Sequence, residues 1–242
     1  MSASGLSDHV RKEHSLQQRQ ERAPTLRAVV FDIGETLIDE STEYGAWADW
    51  LGVPRHTFSA MFGAVIALGD DYRDTFQHFR PGFNLAVERL RREDASVPEH
   101  FDDSDFYPDV RPCLTALKEL GFLVGVAGNQ TARAEQLLRQ LNLPVDFIGT
   151  SAGWGVEKPS PAFFEKVISE CGFPPGEIAY VGDRLDNDVL PALSAGMIAV
   201  FLRRGPWGYI HAMHPDSAKA HLRVKSLDEL PQHLQALTTP QR

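Results

Sequence analysis

The chain has 242 residues and a mass of 26.9 kDa, enough for one large domain or a core domain with a modest insertion. With 33 acidic against 24 basic side chains the formal charge is −9, which argues against the clustered cations that a nucleic-acid backbone demands. The only cysteines, Cys113 and Cys171, are too few for a disulfide scaffold or a four-thiolate zinc site, and no apolar run approaches the ~18 residues of a membrane-spanning helix.

Residues 1–24 are polar and mixed in charge and read as a flexible tail. Ser7 to Arg22 has no apolar stretch of the kind a secretion signal needs, so a cytoplasmic location is expected. Order is expected from Leu26, where Leu26-Arg27-Ala28-Val29-Val30-Phe31 has the short, β-branched character of a buried strand ending at Asp32. Further strands are expected at Phe122–Ala127, near Phe147-Ile148, at Ile178–Val181 and at Ile198–Leu202.

Helical patterns lie between them. Pro112 suits a first turn and is followed by Leu114, Leu117 and Leu120, with Gly121 as a stop. Ser160-Pro161 opens a helix whose Phe164, Val167, Ile168 and Cys171 share a face, and Asp186-Asn187 is placed to cap another carrying Val189, Leu190 and Leu193. Alternating strands and helices predict an α/β fold with a Rossmann-like parallel sheet. From 39 to 107 the alternation stops. Tyr44, Trp47, Trp50 and Leu51 form one apolar face and Phe58, Met61, Phe62, Val65 and Ile66 another, with no strand pattern among them. The expected organisation is therefore a core of residues 25–38 and 108–242 with an inserted helical cap of residues 39–107. The cap would cover the sheet's C-terminal edge, where open parallel sheets bind ligands.

Asp32, Asn129, Lys158, and Asp183 with Asp188 all fall at strand ends or in the loops beyond them. Taken singly, each is at home as a helix cap or a turn residue. Carboxylates drawn together from such distant segments repel one another unless a cation or proton intervenes, and hard oxygen ligands suit Mg²⁺ and, through it, a phosphate. Lys158 would add a point charge for the same anion.

These segments carry a resemblance. Val29-Val30-Phe31-Asp32-Ile33-Gly34-Glu35-Thr36-Leu37 resembles the first motif of the haloacid dehalogenase (HAD) superfamily. Gly128-Asn129, Glu157-Lys158-Pro159-Ser160-Pro161 and Val181-Gly182-Asp183-Arg184-Leu185-Asp186-Asn187-Asp188 resemble its second, third and fourth motifs in order, and the helical insert resembles its first type of cap. The resemblance implies Asp32 as a nucleophile and metal ligand, and Lys158 as the cation beside it. It further implies Asp183 and Asp188 as the acidic pair of the Mg²⁺ site, the Gly34 carbonyl as a further ligand, and Gly128-Asn129 beside the phosphoryl group. A small phosphorylated metabolite would be the substrate or ligand, with neither nucleic acid nor membrane as a partner.

Two positions depart from the family's phosphatase pattern. The second Asp of the first motif, which protonates the leaving oxygen and later activates water, is Gly34; the Ser or Thr of the second motif is Gly128. Positioned acid–base help is worth ~10²–10⁴ in rate. The leading expectation is a phosphatase-type hydrolase. A HAD-scaffold binding or regulatory protein without turnover is the alternative, and a dehalogenase-like hydrolase, which needs no acid, ranks third. Other motifs weigh less. Gly149-Thr150-Ser151-Ala152-Gly153 fits a serine-hydrolase string, but Gly153-Trp154-Gly155 and Pro159 are expected to forbid the helix it needs. Asn129-Gln130-Thr131 matches a glycosylation string, which a cytoplasmic location makes irrelevant. His211 and His214 lack a third metal ligand, and Arg203–Gly208 reads as a loop beside the pocket.

Overall fold

The structure, a computed structural model, describes residues 26–238; the expected flexible tail 1–24 lies outside them. A six-stranded, all-parallel sheet runs in the order β3-β2-β1-β4-β5-β6. The strands are β1 (Ala28–Phe31), β2 (Leu123–Gly128), β3 (Phe147–Thr150), β4 (Ile178–Gly182), β5 (Ile198–Leu202) and β6 (Leu222–Val224). β1 shows why these runs become strands. Val29 and Phe31 enter one core with Leu114, Leu117, Leu138 and Leu234, while Ala28 and Val30 enter a second with Phe163, Phe164, Val167 and Tyr180. A strand covered on both faces is apolar at every position.

Helices close both faces. The first core is covered by α5 (Val110–Glu119), α6 (Ala132–Gln140) and α11 (Leu230–Thr238), the second by α8 (Pro161–Cys171) and α9 (Leu190–Ser194). Between β1 and β2 the chain forms four helices: α1 (Ser41–Leu51), α2 (Arg55–Ala67), α3 (Asp74–Phe79) and α4 (Leu85–Asp94). They enclose a third core of Trp47, Phe58, Phe62, Ile66, Phe76 and Phe83, in which Phe76 and Phe83 stack at 4.8 Å. Trp207, from α10 (Gly205–His211) after β5, joins that cluster with its ring 5.0 Å from Phe62. The chain leaves and re-enters the sheet side by side, through an Ile38–Phe106 bridge and Asp39 N–H donating to the Asp105 carbonyl at 2.8 Å. Sheet order reverses at β1, so the crevice beyond β1 and β4 lies beneath the inserted helices.

Five local expectations are corrected, the first being the loop expected over Arg203–Gly208, where Gly205 opens the helix α10. β6 is a strand of three residues, too short to show as an apolar run. Leu120 is 40% exposed and follows α5 instead of joining its buried face. Asp186-Asn187 caps nothing, because Leu185–Val189 is a widened π turn leading into α9, and Asp186 pairs with Arg184 instead. A one-turn helix, α7 (Ser151–Trp154), does follow Thr150, whose hydroxyl accepts from the Gly153 N–H. The Ser151 hydroxyl is nonetheless tied to the Gln130 backbone, accepting from its N–H and donating to its carbonyl.

Candidate functional site

Register fixes the first carboxylate. Phe31 pairs with Val126 on one side and Val181 on the other, so Asp32 is the next residue out, its N–H donating to the Val181 carbonyl at 2.8 Å. Asp183 emerges one strand over, after Gly182. Asp188 reaches back from the π turn, and its Oδ2 accepts from the Arg184 N–H at 2.9 Å. One oxygen from each of Asp32, Asp183 and Asp188 lies within 4.8 Å of the others. All three are buried, at 7%, 1% and 0% exposure.

Lys158 joins them from the loop between α7 and α8. Its Nζ donates to Asp32 Oδ1 at 2.5 Å and to Asp188 Oδ1 at 2.6 Å. The lysine backbone is held by Asn129, whose Oδ1 accepts from the Lys158 N–H (2.8 Å) and whose Nδ2 donates to the Lys158 carbonyl (2.9 Å). Asn129, expected beside an anion, thus has both ends of its amide on the lysine. Burial disfavours the Lys158 charge, but the two carboxylates outweigh it and hold the ammonium well above its usual range. Burial pushes Asp188 up to about 6 even with Lys158 on it, and burial with Asp188 and Asp32 alongside pushes Asp183 well up. Asp183 Oδ2 is buried with no hydrogen-bond partner among the described residues. Three close carboxylates, one cation and an orphaned buried oxygen leave room for a hard divalent ion.

The two expected departures take physical form. A Cβ on Gly128 would lie 2.6 Å from Asp32 Oδ1 and 3.1 Å from Ile33 Cδ1, so no side chain fits there without moving Asp32. A Cβ on Gly34 would meet the Glu40 carboxyl, 2.6 Å from Oε1 and 2.9 Å from Cδ. Glu35 turns aside. With a left-handed φ of 53°, it accepts from the Tyr107 hydroxyl at 2.6 Å and from the Glu40 N–H at 3.3 Å, and burial pushes it up to about 7.

These groups line a cleft of about 570 Å³ between the strand ends and the inserted helices, which Asp32, Lys158 and Asp183 share with Glu40, Arg89 and Trp207. The sequence reading missed Glu40, Arg89 and Arg184. Glu40 stands at the N-terminal end of α1, outside every motif the sequence offers. Arg89 sits in the charged run Glu88-Arg89-Leu90-Arg91-Arg92, in which Arg91 pairs with Glu88 and Arg92 with Glu43. Arg89 has no ion pair among the described residues, and its Nε is buried without a partner. Arg184 stacks over Trp207, 4.4 Å from the ring centre, while bonded to Asp186. His211 and His214 are structural; their Nδ1 atoms accept from the Leu185 and Asp216 N–H groups.

A glyceraldehyde 3-phosphate phosphatase of Methanopyrus kandleri is 42% identical over 207 residues, 75% of this chain and 86% of that protein. Haloacid dehalogenase-like hydrolase domain-containing protein 3 of Danio rerio is 33% identical over 194 residues, 77% of this chain and 69% of that one. Among solved structures, a HAD phosphatase from Thermococcus onnurineus aligns with a TM-score of 0.54 at 25% identity, covering 86% of this chain and 98% of that chain. No helix among the described residues is long and apolar enough to cross a membrane. Residues 26–196, which carry the strand-end acids and the lysine, match the haloacid dehalogenase-like hydrolase family, to which this chain belongs.

Proposed function

We propose that the protein hydrolyses a phosphate monoester of a small metabolite through an aspartyl phosphate on Asp32. One observation carries the reading: Asp32 lies on the cleft floor with Oδ1 fixed by Lys158, beside a buried Asp183 oxygen that no described residue satisfies. The phosphatase names of several relatives support it. With Oδ1 engaged, Oδ2 of Asp32 is the atom that attacks phosphorus. Lys158 orients Asp32 through Oδ1 and adds positive charge beside the incoming phosphoryl group. Asp32, Asp183 and the Gly34 carbonyl would hold Mg²⁺. The Asp188 carboxylate supports that set while anchoring Lys158. Bound there, Mg²⁺ would neutralise charge on the phosphoryl oxygens.

Arg89 narrows the substrate. An unpaired guanidinium on the cap wall of the cleft calls for an anion, so the metabolite carries a second acidic or strongly polar group away from its phosphate. Arg89→Met should raise KM for such substrates more than it lowers kcat.

The test is phosphoenzyme trapping. Incubation with acetyl phosphate and Mg²⁺ followed by acid quench should leave phosphate on Asp32 by mass spectrometry, and Asp32→Asn should abolish both this adduct and turnover. Mg²⁺ binding with no phosphoenzyme across a broad ester panel would replace this reading with that of a binding protein.

A further inference from the structure

Catalysis of monoester hydrolysis needs a group that gives a proton to the departing alkoxide and later takes one from the attacking water. Gly34 cannot supply it, and Glu35 faces Tyr107. The space a side chain at position 34 would fill is occupied all the same. Glu40 Oε1 lies 2.6 Å and Oε2 3.2 Å from where the Cβ of residue 34 would be. An Asp at that position would carry its own carboxyl oxygens about 2.4 Å from its Cβ, given standard bond lengths, so the Glu40 carboxyl falls within the same reach.

Glu40 is held there by its backbone. It closes the loop after β1, its N–H donates to Glu35 Oε1, and its carbonyl accepts from the Tyr44 N–H at 2.9 Å, which starts α1. Its carboxyl lines the cleft together with Asp32, Gly34 and Lys158. It has neither a cation within ion-pair distance nor a side-chain hydrogen bond among the described residues, unlike Glu43 and Glu88, which are tied to arginines. Gly34 and Glu40 are therefore complementary: a side chain at 34 and a carboxyl from 40 compete for one space.

We propose that Glu40 is the general acid and base of this hydrolase, delivering from the start of the cap the carboxyl that position 34 lacks. The inference rests on the aspartyl-phosphate reading above. As Asp32 Oδ2 bonds to phosphorus, the P–O bond to the alcohol breaks and its electron pair stays on the alcohol oxygen. That oxygen takes the Glu40 proton, giving neutral alcohol, phospho-Asp32 and Glu40 carboxylate. Glu40 then removes a proton from water as the water oxygen attacks phosphorus. The Asp32–phosphate bond breaks, releasing inorganic phosphate and restoring both the Asp32 carboxylate and the protonated Glu40.

Leaving-group chemistry tests this, because acetate departs without a proton and a glycerol alkoxide does not. In Glu40→Gln, phosphoenzyme formation from acetyl phosphate should stay within a few-fold of wild type. Reaction with glycerol phosphate should fall by ~10²–10⁴, and the trapped phosphoenzyme should outlive its wild-type counterpart by a similar factor. Equal loss with both donors, or no loss with either, overturns the assignment while a wild-type phosphoenzyme leaves Asp32 as nucleophile. Absence of a phosphoenzyme in the wild type overturns both readings. Should Glu40→Gln fail to fold, the exchange Gly34→Asp with Glu40→Ser decides: it returns the carboxyl to position 34 and clears its space. Recovery of glycerol phosphate hydrolysis relative to Glu40→Ser supports the assignment. A folded exchange variant no more active than Glu40→Ser overturns it.

Discussion

Replacing Lys158 by Met removes the single cation bonded to two buried carboxylates while keeping most of its apolar stem. Its side chain is 1% exposed, and its Nζ lies 2.5 Å from Asp32 and 2.6 Å from Asp188, so the pairs are shielded from water. Breaking a buried pair by removing one partner typically destabilises by ~3–5 kcal/mol, which for a domain of this size lowers Tm by ~6–20 °C. The charge origin of that loss fixes its pH dependence. Asp188 already has its folded value raised to about 6 by burial, against an unfolded value of ~3.9. A raised folded value means that the native state binds more protons than the unfolded state. The associated stability is complete below the unfolded value and is lost as pH rises through the folded one. In wild type this loss is finished near the Asp188 value of about 6. Without Lys158 the Asp188 value shifts further up, so the variant goes on losing stability at higher pH, by at most ~1.4 kcal/mol per pH unit. Urea melts from about pH 5 to about pH 8, at constant ionic strength with a chelator present, should show the gap to wild type widening with pH. A gap that stays constant over that range would refute the electrostatic argument and assign the loss to packing of the lysine stem.

Asp109→Asn should show the opposite sign. Its Oδ2 accepts from Arg204, from Ser226 Oγ at 2.7 Å and from the Leu227 N–H at 2.9 Å; burial works against its charge, but these partners hold its carboxyl below the usual range. The variant leaves the buried Arg204 without a full counter-charge, so a loss of ~3–5 kcal/mol is expected near neutrality. Because the folded value is depressed, that stability is present above the unfolded value of ~3.9 and lost as pH falls through the folded one. Urea melts should accordingly find the gap to wild type closing only in acid. Gly128→Ser should reduce turnover by ~10², because its Cβ would sit 2.6 Å from Asp32 Oδ1 and displace the attacking group; undiminished turnover would show that Asp32 tolerates the shift.

The legible parts of the sequence were those whose physics is local. Val29, Val30 and Phe31, or Ala179, Tyr180 and Val181, read as strands because burial on both faces demands unbroken apolar runs. β6 escaped notice because Leu222-Arg223-Val224 is an edge strand with one outward arginine, and three residues define no period. α6 also went unmarked. Its cap is Thr131, whose hydroxyl accepts from the Ala134 N–H, although that threonine had drawn attention only as part of a glycosylation string. The four charged groups at strand ends were legible for a different reason: a parallel sheet gathers the C-terminal ends of its strands in one crevice, whatever their distance in sequence. Lys158 meets Asp32 across 126 positions by that rule.

Glu40 and Arg89 obey no such rule, since nothing in the spacing of a helix-opening acid says that it folds back over a glycine six residues earlier. Position by position, Gly34 and Gly128 look like two losses from one pocket. In space, neither is a hole. The volume beside Gly128 is taken by the Asp32 carboxyl and by Ile33, and the volume beside Gly34 by the carboxyl of Glu40. A pocket decaying from disuse would gain voids or arbitrary apolar filling, since a buried carboxyl without a partner is costly. Here the half-buried, unpaired carboxyl of Glu40 lies beside Gly34, while Asp32, Lys158, Asp183 and Asp188 stay buried around it. That the chain keeps a cluster so unfavourable to its own folding is the strongest physical reason to read the site as working chemistry on a relocated acid, and not as a dormant scaffold.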